Sequence, residues 1–305
     1  MSSSTADAPP VTFAALLALD QEEHDLFRAP GRAGPPERTF GGTVLAQALL
    51  AAGRTVAPER SAHSLHAYFL RPGDASAPTD YRVTTIRDGA TYATRQVVAT
   101  QHGRSTFLLT ASFQLPEGGR EHQLPRLDAP PPEQLPTLEE ASADVGGHLG
   151  RWFARLPLTR PLDLRFDGEL PRAAAARGEA AAPRHRFWLR TRERLQDAQL
   201  PHSCVVAYVS DMLLLSTSLA PHSTAPGAPD IATASIDHSV WFHRPFRADE
   251  WLFYEQESSL AFGGRALCHG RLFARSGDLV ATVAQEAMIR DRTPDSDGRG
   301  PATPP

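Results

Sequence analysis

SIDHSVWFHRPFRADEWLFYE, Ser235 to Glu255, sets Trp241, Phe242, Phe246, Trp251, Phe253 and Tyr254 around two histidines, His238 and His243. Near its middle stands Phe242-His243-Arg244-Pro245-Phe246. A weaker copy occurs much earlier, as HSLHAYFLRPGD from His63 to Asp74. A shift of 173 residues lays Arg71-Pro72 on Arg244-Pro245 and Phe69 on Phe242. Aromatic residues suit a pleated, half-buried surface, and proline cannot continue a strand ladder. Both copies therefore read as strands that stop at the proline, and the fixed spacing marks an internal repeat.

The flanking sequence repeats in the same order. In the first block TFGG, from Thr39, leads into a helix with Val44, Leu45, Ala48, Leu49 and Ala52 at helical spacing. Gly41 and Gly42 allow a tight turn at its start. Four strands follow, SLHAYFLRP, DYRVTTIRD, TYATRQVVATQ and STFLLTASFQ, with DGAT and HGRS as hairpin turns. The second block opens with strands PLDLRFDG and RHRFWLRTRE. VVAYVSDMLLLSTSL, from Val205, then reads as one helix, and SIDHSVWFHRP, EWLFYEQESS, GRALCHGRLFARS and DLVATVAQEAMIR as strands. Each block is a helix plus four antiparallel strands, a sheet wrapped on one helix. The expected class is α+β, two units sharing one long antiparallel sheet. The boundaries predicted are 13–115 and 160–291, joined by a Pro-rich linker over 116–159 with a helix around Leu135–Phe153. Residues 1–12 and 292–305 read as disordered tails.

Bulk composition narrows the function classes. The net charge of −4 gives no general attraction to nucleic acid or anionic membrane, so an anionic ligand has to be met by a local cluster. All 31 basic residues are arginine. The two cysteines, Cys204 and Cys268, make neither a disulfide framework nor a zinc site. No secretory signal, bilayer-length apolar run or peroxisomal tripeptide is recognisable, so the expectation is a soluble cytoplasmic protein. The G-x-S-x-G elbow, phosphate-binding glycine loops and H-E-x-x-H are all missing. His63 with His66, and His238 with His243, lack a carboxylate or cysteine at metal spacing, and read as packing or hydrogen-bonding residues.

Two polar residues sit where apolar ones belong. Asp211 is the only charge in a helix that is apolar nearly all round, and a lone buried carboxylate is costly unless paired. Either it has a structural partner, or it has work to do, or Ser210 or Asp211 is the N-cap of a shorter helix, MLLLSTSL. Gln285 shares a strand face with Ala281, Val283, Ala287 and Ile289. An unsatisfied amide there costs about 1–3 kcal/mol. A buried glutamine bonded to nearby backbone is the plain alternative. By its place in the first helix, Gln47 looks like the counterpart of Asp211, so the second block has gained an acid.

FGGTVLAQAL, HSLHAYFLRPGD, RDGATYATRQVVATQ, ASFQ, SIDHSVWFHRPF and VAQEAMIR together resemble the acyl-CoA thioesterase II (TesB-like) family, over most of residues 13–291. The resemblance implies a double hotdog fold and hydrolysis of medium- to long-chain fatty acyl-CoA to free acid and CoA. It implies that an Asp, a Thr or Ser, and a Gln orient the attacking water, and these positions fall on Asp211, Ser235 and Gln285. Thr233 is a second hydroxyl near the motif; Ser235 directly precedes Ile-Asp-His. No cofactor or metal is implied, the partner is the acyl-CoA substrate, and at least a dimer is expected. Two alternatives keep the fold: an acyl-CoA hydratase or dehydratase, whose Asp-x-x-x-x-His motif is not found ahead of either helix, and a non-catalytic acyl-CoA-binding protein.

Overall fold

A computed structural model describes residues 12–32, 38–126, 128–143 and 161–292. The strands are β1 Asp20–Glu23, β2 Leu26–Ala29, β3 Ser61–Phe69, β4 Thr79–Asp88, β5 Tyr92–Gln101 and β6 Arg104–Gln114 in the first half. The second half has β7 Leu162–Phe166, β8 Arg184–Thr191, β9 Ile231–Ser235, β10 Asp237–Phe242, β11 Leu252–Phe262, β12 Arg265–Ala274 and β13 Leu279–Asp291. The helices are α1 Phe13–Leu16, α2 Gly41–Gly53, α3 Leu138–Ala143, α4 Pro171–Ala176, α5 Gln199–Ser210 and α6 Ser216–Leu219. Of the helix expected around 135–153, only α3 falls within the described residues, and the terminal tails lie largely outside them.

All thirteen strands belong to one sheet, in the order β1-β2-β4-β5-β6-β3-β10-β13-β12-β11-β8-β7, with β9 also on β13. Every pairing between them is antiparallel. The aromatic strand and its copy are the seam: β3 pairs β10, with Asp237 opposite Tyr68 and Trp241 opposite Ser64. At the centre of that pairing His66 faces Ser239, its own repeat mate 173 residues on, and their side chains meet at 3.0 Å. The two halves are thus related by an approximate two-fold axis through this pair.

The long helices α2 and α5 pack against each other on one face of the sheet, and both are buried through most of their length. They run antiparallel. Leu200, at the start of α5, packs on Gly53 at the end of α2, while Tyr208 and Asp211 lie against Gly42 and Gly41 at its start. This is a double hotdog, two tandem units sharing one antiparallel sheet wrapped around two central helices.

Three parts differ from their sequence reading. The strands β1, β2 and β9 were not anticipated, and the aromatic strand expected to begin at Ser235 is divided, Ser235 ending β9 and β10 starting at Asp237. Neither Ser210 nor Asp211 is the N-cap of a helix MLLLSTSL; Asp211 closes the helix before it. The helix expected to run on from Val205 through Asp211 begins earlier, at Gln199, and ends at Ser210. Asp211 is its C-cap, Leu213 takes a left-handed φ of 64°, and only a short helix, α6, follows. The last carbonyls of a helix have no partner within it. Two side chains of β11 supply donors: Tyr254 donates to the Ser210 carbonyl at 2.7 Å and Gln256 to that of Met212 at 2.7 Å. The apolar run MLLL, read as more helix, is a buried turn held from the sheet.

Candidate active site

Asp211 stands where the end of α5 meets the start of α2. Its Oδ2 accepts the Gly42 N–H at 2.9 Å, one of the helix-start donors that have no intrahelical partner. The two glycines exist for this approach: a Cβ on Gly41 would come within 2.6 Å of Asp211 Oδ2, and one on Gly42 would overlap the Tyr208 carbonyl. The helix-interior reading placed Asp211 deep in an apolar helix. As a C-cap it keeps part of its surface accessible while protein surrounds the rest. Burial pushes its pKa up to about 6, partly opposed by bonds from Gly42, Ser235 and Gln285.

Ser235 is the last residue of β9, and the chain breaks register at Ile236 before β10 begins. That break turns the Ser235 hydroxyl toward the helix ends. Its Oγ is 3.5 Å from Asp211 Oδ1, the outer limit of a direct bond, and accepts from Gln285 Nε2 at 2.9 Å. Gln285 is fully buried on the inward face of β13, as the alternation required. Of the two hydroxyls, Ser235 joins Asp211 and Gln285, whereas Thr233 only lines the adjoining cavity. The three residues singled out from the sequence therefore meet at one point.

That cavity has a volume of about 360 Å³ and is bounded by Gly41, Val44, Phe69, Leu70, Phe107 and Ser235, with Arg38 and Arg71 on its wall. It lies between the first unit's helix start and the second unit's β9, so both halves build it. The sequence did not reveal that crossing, because nothing local in FGGT says that it will meet residue 211.

The approximate two-fold axis supplies an internal comparison. The C-cap of α2 is Arg54, so arginine, not Gln47, occupies the place of Asp211. Gln47 lies mid-helix, donates to the Leu16 carbonyl and accepts from Tyr81. The repeat shift puts Ala62 on Ser235 and Leu65 on His238. Across the ladder, Ala62 faces Phe113 as Ser235 faces Ala287, which puts Ala111 on Gln285. Arg54 donates to the Leu19 carbonyl, and Leu200 closes the space beside Gly53. The mirrored place thus carries an arginine and apolar residues, and among the described residues only one end of the helix pair holds a carboxylate of this kind.

Further polar groups behind the site were not identified from the sequence. His238 was read as a packing or bonding residue, and it does bond, to Gln285 and to Ser210. Its inward position was readable from alternation with Val240 and Phe242. Among the described residues no cluster of His, Cys, Asp or Glu could hold a metal ion, and no helix is long and apolar enough to cross a membrane.

A double hotdog with a carboxylate, hydroxyl and amide converging beside a cavity suits a thioester hydrolase acting on acyl groups, and comparison with known proteins gives that class. The model of the acyl-CoA thioesterase family matches residues 162–288, and that of the acyl-CoA thioesterase N-terminal domain residues 29–114. The chain is 37% identical to acyl-coenzyme A thioesterase 8 of Mus musculus over 94% of its length and 91% of the relative. It is 36% identical to acyl-CoA thioesterase 2 of Haemophilus influenzae, over 90% of this chain and 96% of that one. The crystal structure of an acyl-CoA thioesterase II, TesB2, from Mycobacterium marinum superposes with a TM-score of 0.75 at 39% identity, covering 92% of this chain and 99% of that one. The protein belongs to the TesB-like acyl-CoA thioesterase II family, and is a thioester hydrolase.

Proposed function

We propose that the enzyme hydrolyses medium- to long-chain fatty acyl-CoA, with Asp211 as general base and Ser235 and Gln285 holding the attacking water. One observation carries this reading: a half-buried carboxylate with a raised pKa sits between a helix start and the Ser235–Gln285 pair, and its neighbours Gly41 and Ser235 line the adjoining cavity. A base poised near its operating pH moves protons efficiently. A water between Asp211 Oδ1 and Ser235 Oγ loses a proton to Asp211 as its oxygen attacks the thioester carbonyl carbon. The same contacts set the attack geometry in advance. The carbonyl oxygen becomes an oxyanion, for which the start of α2 at Gly41, which lines the cavity, would supply a backbone N–H. The C–S bond then breaks, and the CoA sulfur takes the proton back from Asp211. No added metal or nucleotide is needed. The acyl chain enters the cavity along Val44, Phe69 and Phe107, and Arg38 and Arg71 offer charge to the CoA phosphates. The division of labour is part of the reading: unit 13–115 supplies the helix start and acyl wall, unit 160–291 the three polar groups, and 116–159 links them.

Release of free thiol from a series of saturated acyl-CoA substrates tests this. The expected result is turnover that rises from short to medium and long chains without added metal. Hydration of an enoyl-CoA with no thiol released would point to the hydratase chemistry. Binding without turnover would make the protein a carrier.

A further inference from the structure

A fully buried histidine stands behind the three residues of the proposed centre, and the mechanism above gives it no task. His238 lies on β10 with its Nδ1 2.6 Å from Gln285 Oε1 and its Nε2 2.7 Å from Ser210 Oγ. We propose that His238 is a positioning residue: held at Nε2 by Ser210 and carrying its proton on Nδ1, it locks the Gln285 amide so that the NH₂ faces Ser235 and the attacking water. This rests on the role proposed for Asp211.

The direction of each bond follows from the acid end. An ionised carboxylate only accepts, so the single Ser235 proton points to Asp211. Ser235 Oγ then has lone pairs for Gln285, which must turn its NH₂ toward it, at 2.9 Å. Gln285 Oε1 is left facing His238, so Nδ1 must be the protonated ring nitrogen. Burial pushes the His238 pKa down to about 4, so the ring is neutral and Nε2 is a bare acceptor. The Ser210 hydroxyl fills it, in preference to the Ala207 carbonyl at 2.9 Å. Tyr254 donates to the Ser210 carbonyl and fixes that residue in turn. Turning the amide over would place its oxygen against Ser235. It would claim the only proton Ser235 has, and Asp211 would lose that donor.

The first unit supplies the control. At the place of His238 it has Leu65, fully buried, and at the places of Ser235 and Gln285 it has Ala62 and Ala111. A leucine builds the same strand, so the fold itself does not require an imidazole there. The imidazole occurs only in the unit that holds the acid.

His238→Leu installs the first unit's own residue. The expected kcat falls on the order of 10²-fold with KM within about twofold, the pattern for lost alignment in the transition state. His238→Asn can put an amide nitrogen near the place of Nδ1, and is expected to regain about tenfold or more over the leucine variant. A structural role would lower thermal stability and would not separate the two variants by kcat. Independently of either substitution, ¹⁵N NMR of the histidine-labelled enzyme between about pH 7 and 8 should find His238 protonated on Nδ1 and bare at Nε2. A proton on Nε2, or a folded His238→Leu enzyme with kcat within about threefold of the parent, overturns the inference. An inactive Asp211→Asn beside an active His238→Leu removes this inference alone. An active, folded Asp211→Asn removes the reading of the centre.

Discussion

At the scale of single residues the account turns on Asp211 and the two groups beside it. Its pKa of about 6 gives a direct signature: kcat/KM should rise with pH through an inflection near 6 and level off above it. A flat profile from about pH 5 to 8 would be inconsistent with a base of that pKa. The same shift has a stability consequence of opposite use. The unfolded carboxyl loses its proton near 3.8 and the folded one near 6, so between these values the folded state holds more protons and stability falls as pH rises. The penalty is absent below about pH 4 and complete above about 6, roughly 1–3 kcal/mol after allowing for the accessible part of the group. His238 acts with the other sign: its depressed pKa costs stability as pH falls from 6.5 through about 4. Gln285→Ala should lower kcat by about 10–10²-fold, less than loss of the base, because it removes positioning and leaves proton transfer possible. Steady-state kinetics on the folded variant decide this; an unchanged kcat would make Gln285 a packing residue.

At the scale of elements, the start of α2 is the part that tolerates least. Gly41→Ala would bring a methyl group within 2.6 Å of the Asp211 carboxylate and 3.0 Å of the Phe69 ring. It should cost on the order of 10²-fold in kcat by displacing the base, with the rest of the buried helix intact. Near-normal turnover, with circular dichroism unchanged, would show that the approach of α2 to Asp211 is dispensable. This element also marks what sequence could and could not supply. The aromatic strand and its copy were visible as a repeat because aromatic residues ending at Arg-Pro occur at Phe69–Pro72 and again at Phe242–Pro245. Gln285 was visible because strand alternation has a period of two, and one amide breaks an otherwise apolar face. The end of α5 was visible only as an alternative, a break at Ser210 or Asp211 read as the start of a helix and not as the end of one. Its terminus is set by Tyr254 and Gln256, which lie more than forty residues away and take carbonyls that a helix would otherwise have used. Leu213 at φ 64° carries no glycine or asparagine to signal the turn. For the same reason Gln47 was mistaken for the counterpart of Asp211, when the cap position belongs to Arg54.

At the scale of the whole molecule, a duplicated fold has become asymmetric. Both halves keep the strand seam, the helix and the inward tyrosines Tyr81 and Tyr254, and only the second keeps the acid, hydroxyl, amide and imidazole. The outer face of the seam exposes Tyr68 and Trp241, and the hairpin β11–β12 exposes Leu260 and Phe262. Apolar surface of this kind in one sheet suits association, and sedimentation at micromolar protein should give a dimer or larger species; a 33.1 kDa monomer contradicts that expectation. The mirrored end of the helix pair holds Arg54, and among the described residues no second carboxylate takes the place of Asp211 there, so on this account nothing would sustain turnover once Asp211 is neutralised. Asp211→Asn keeps the shape and the Gly42 contact while removing the base, and above about pH 6 it should also relieve the buried charge and leave the fold at least as stable. The deciding measurement is therefore kcat for thiol release from a long-chain acyl-CoA by folded Asp211→Asn near pH 8. The account predicts a fall of about 10²–10⁴-fold, and turnover within about threefold of the parent enzyme would contradict it.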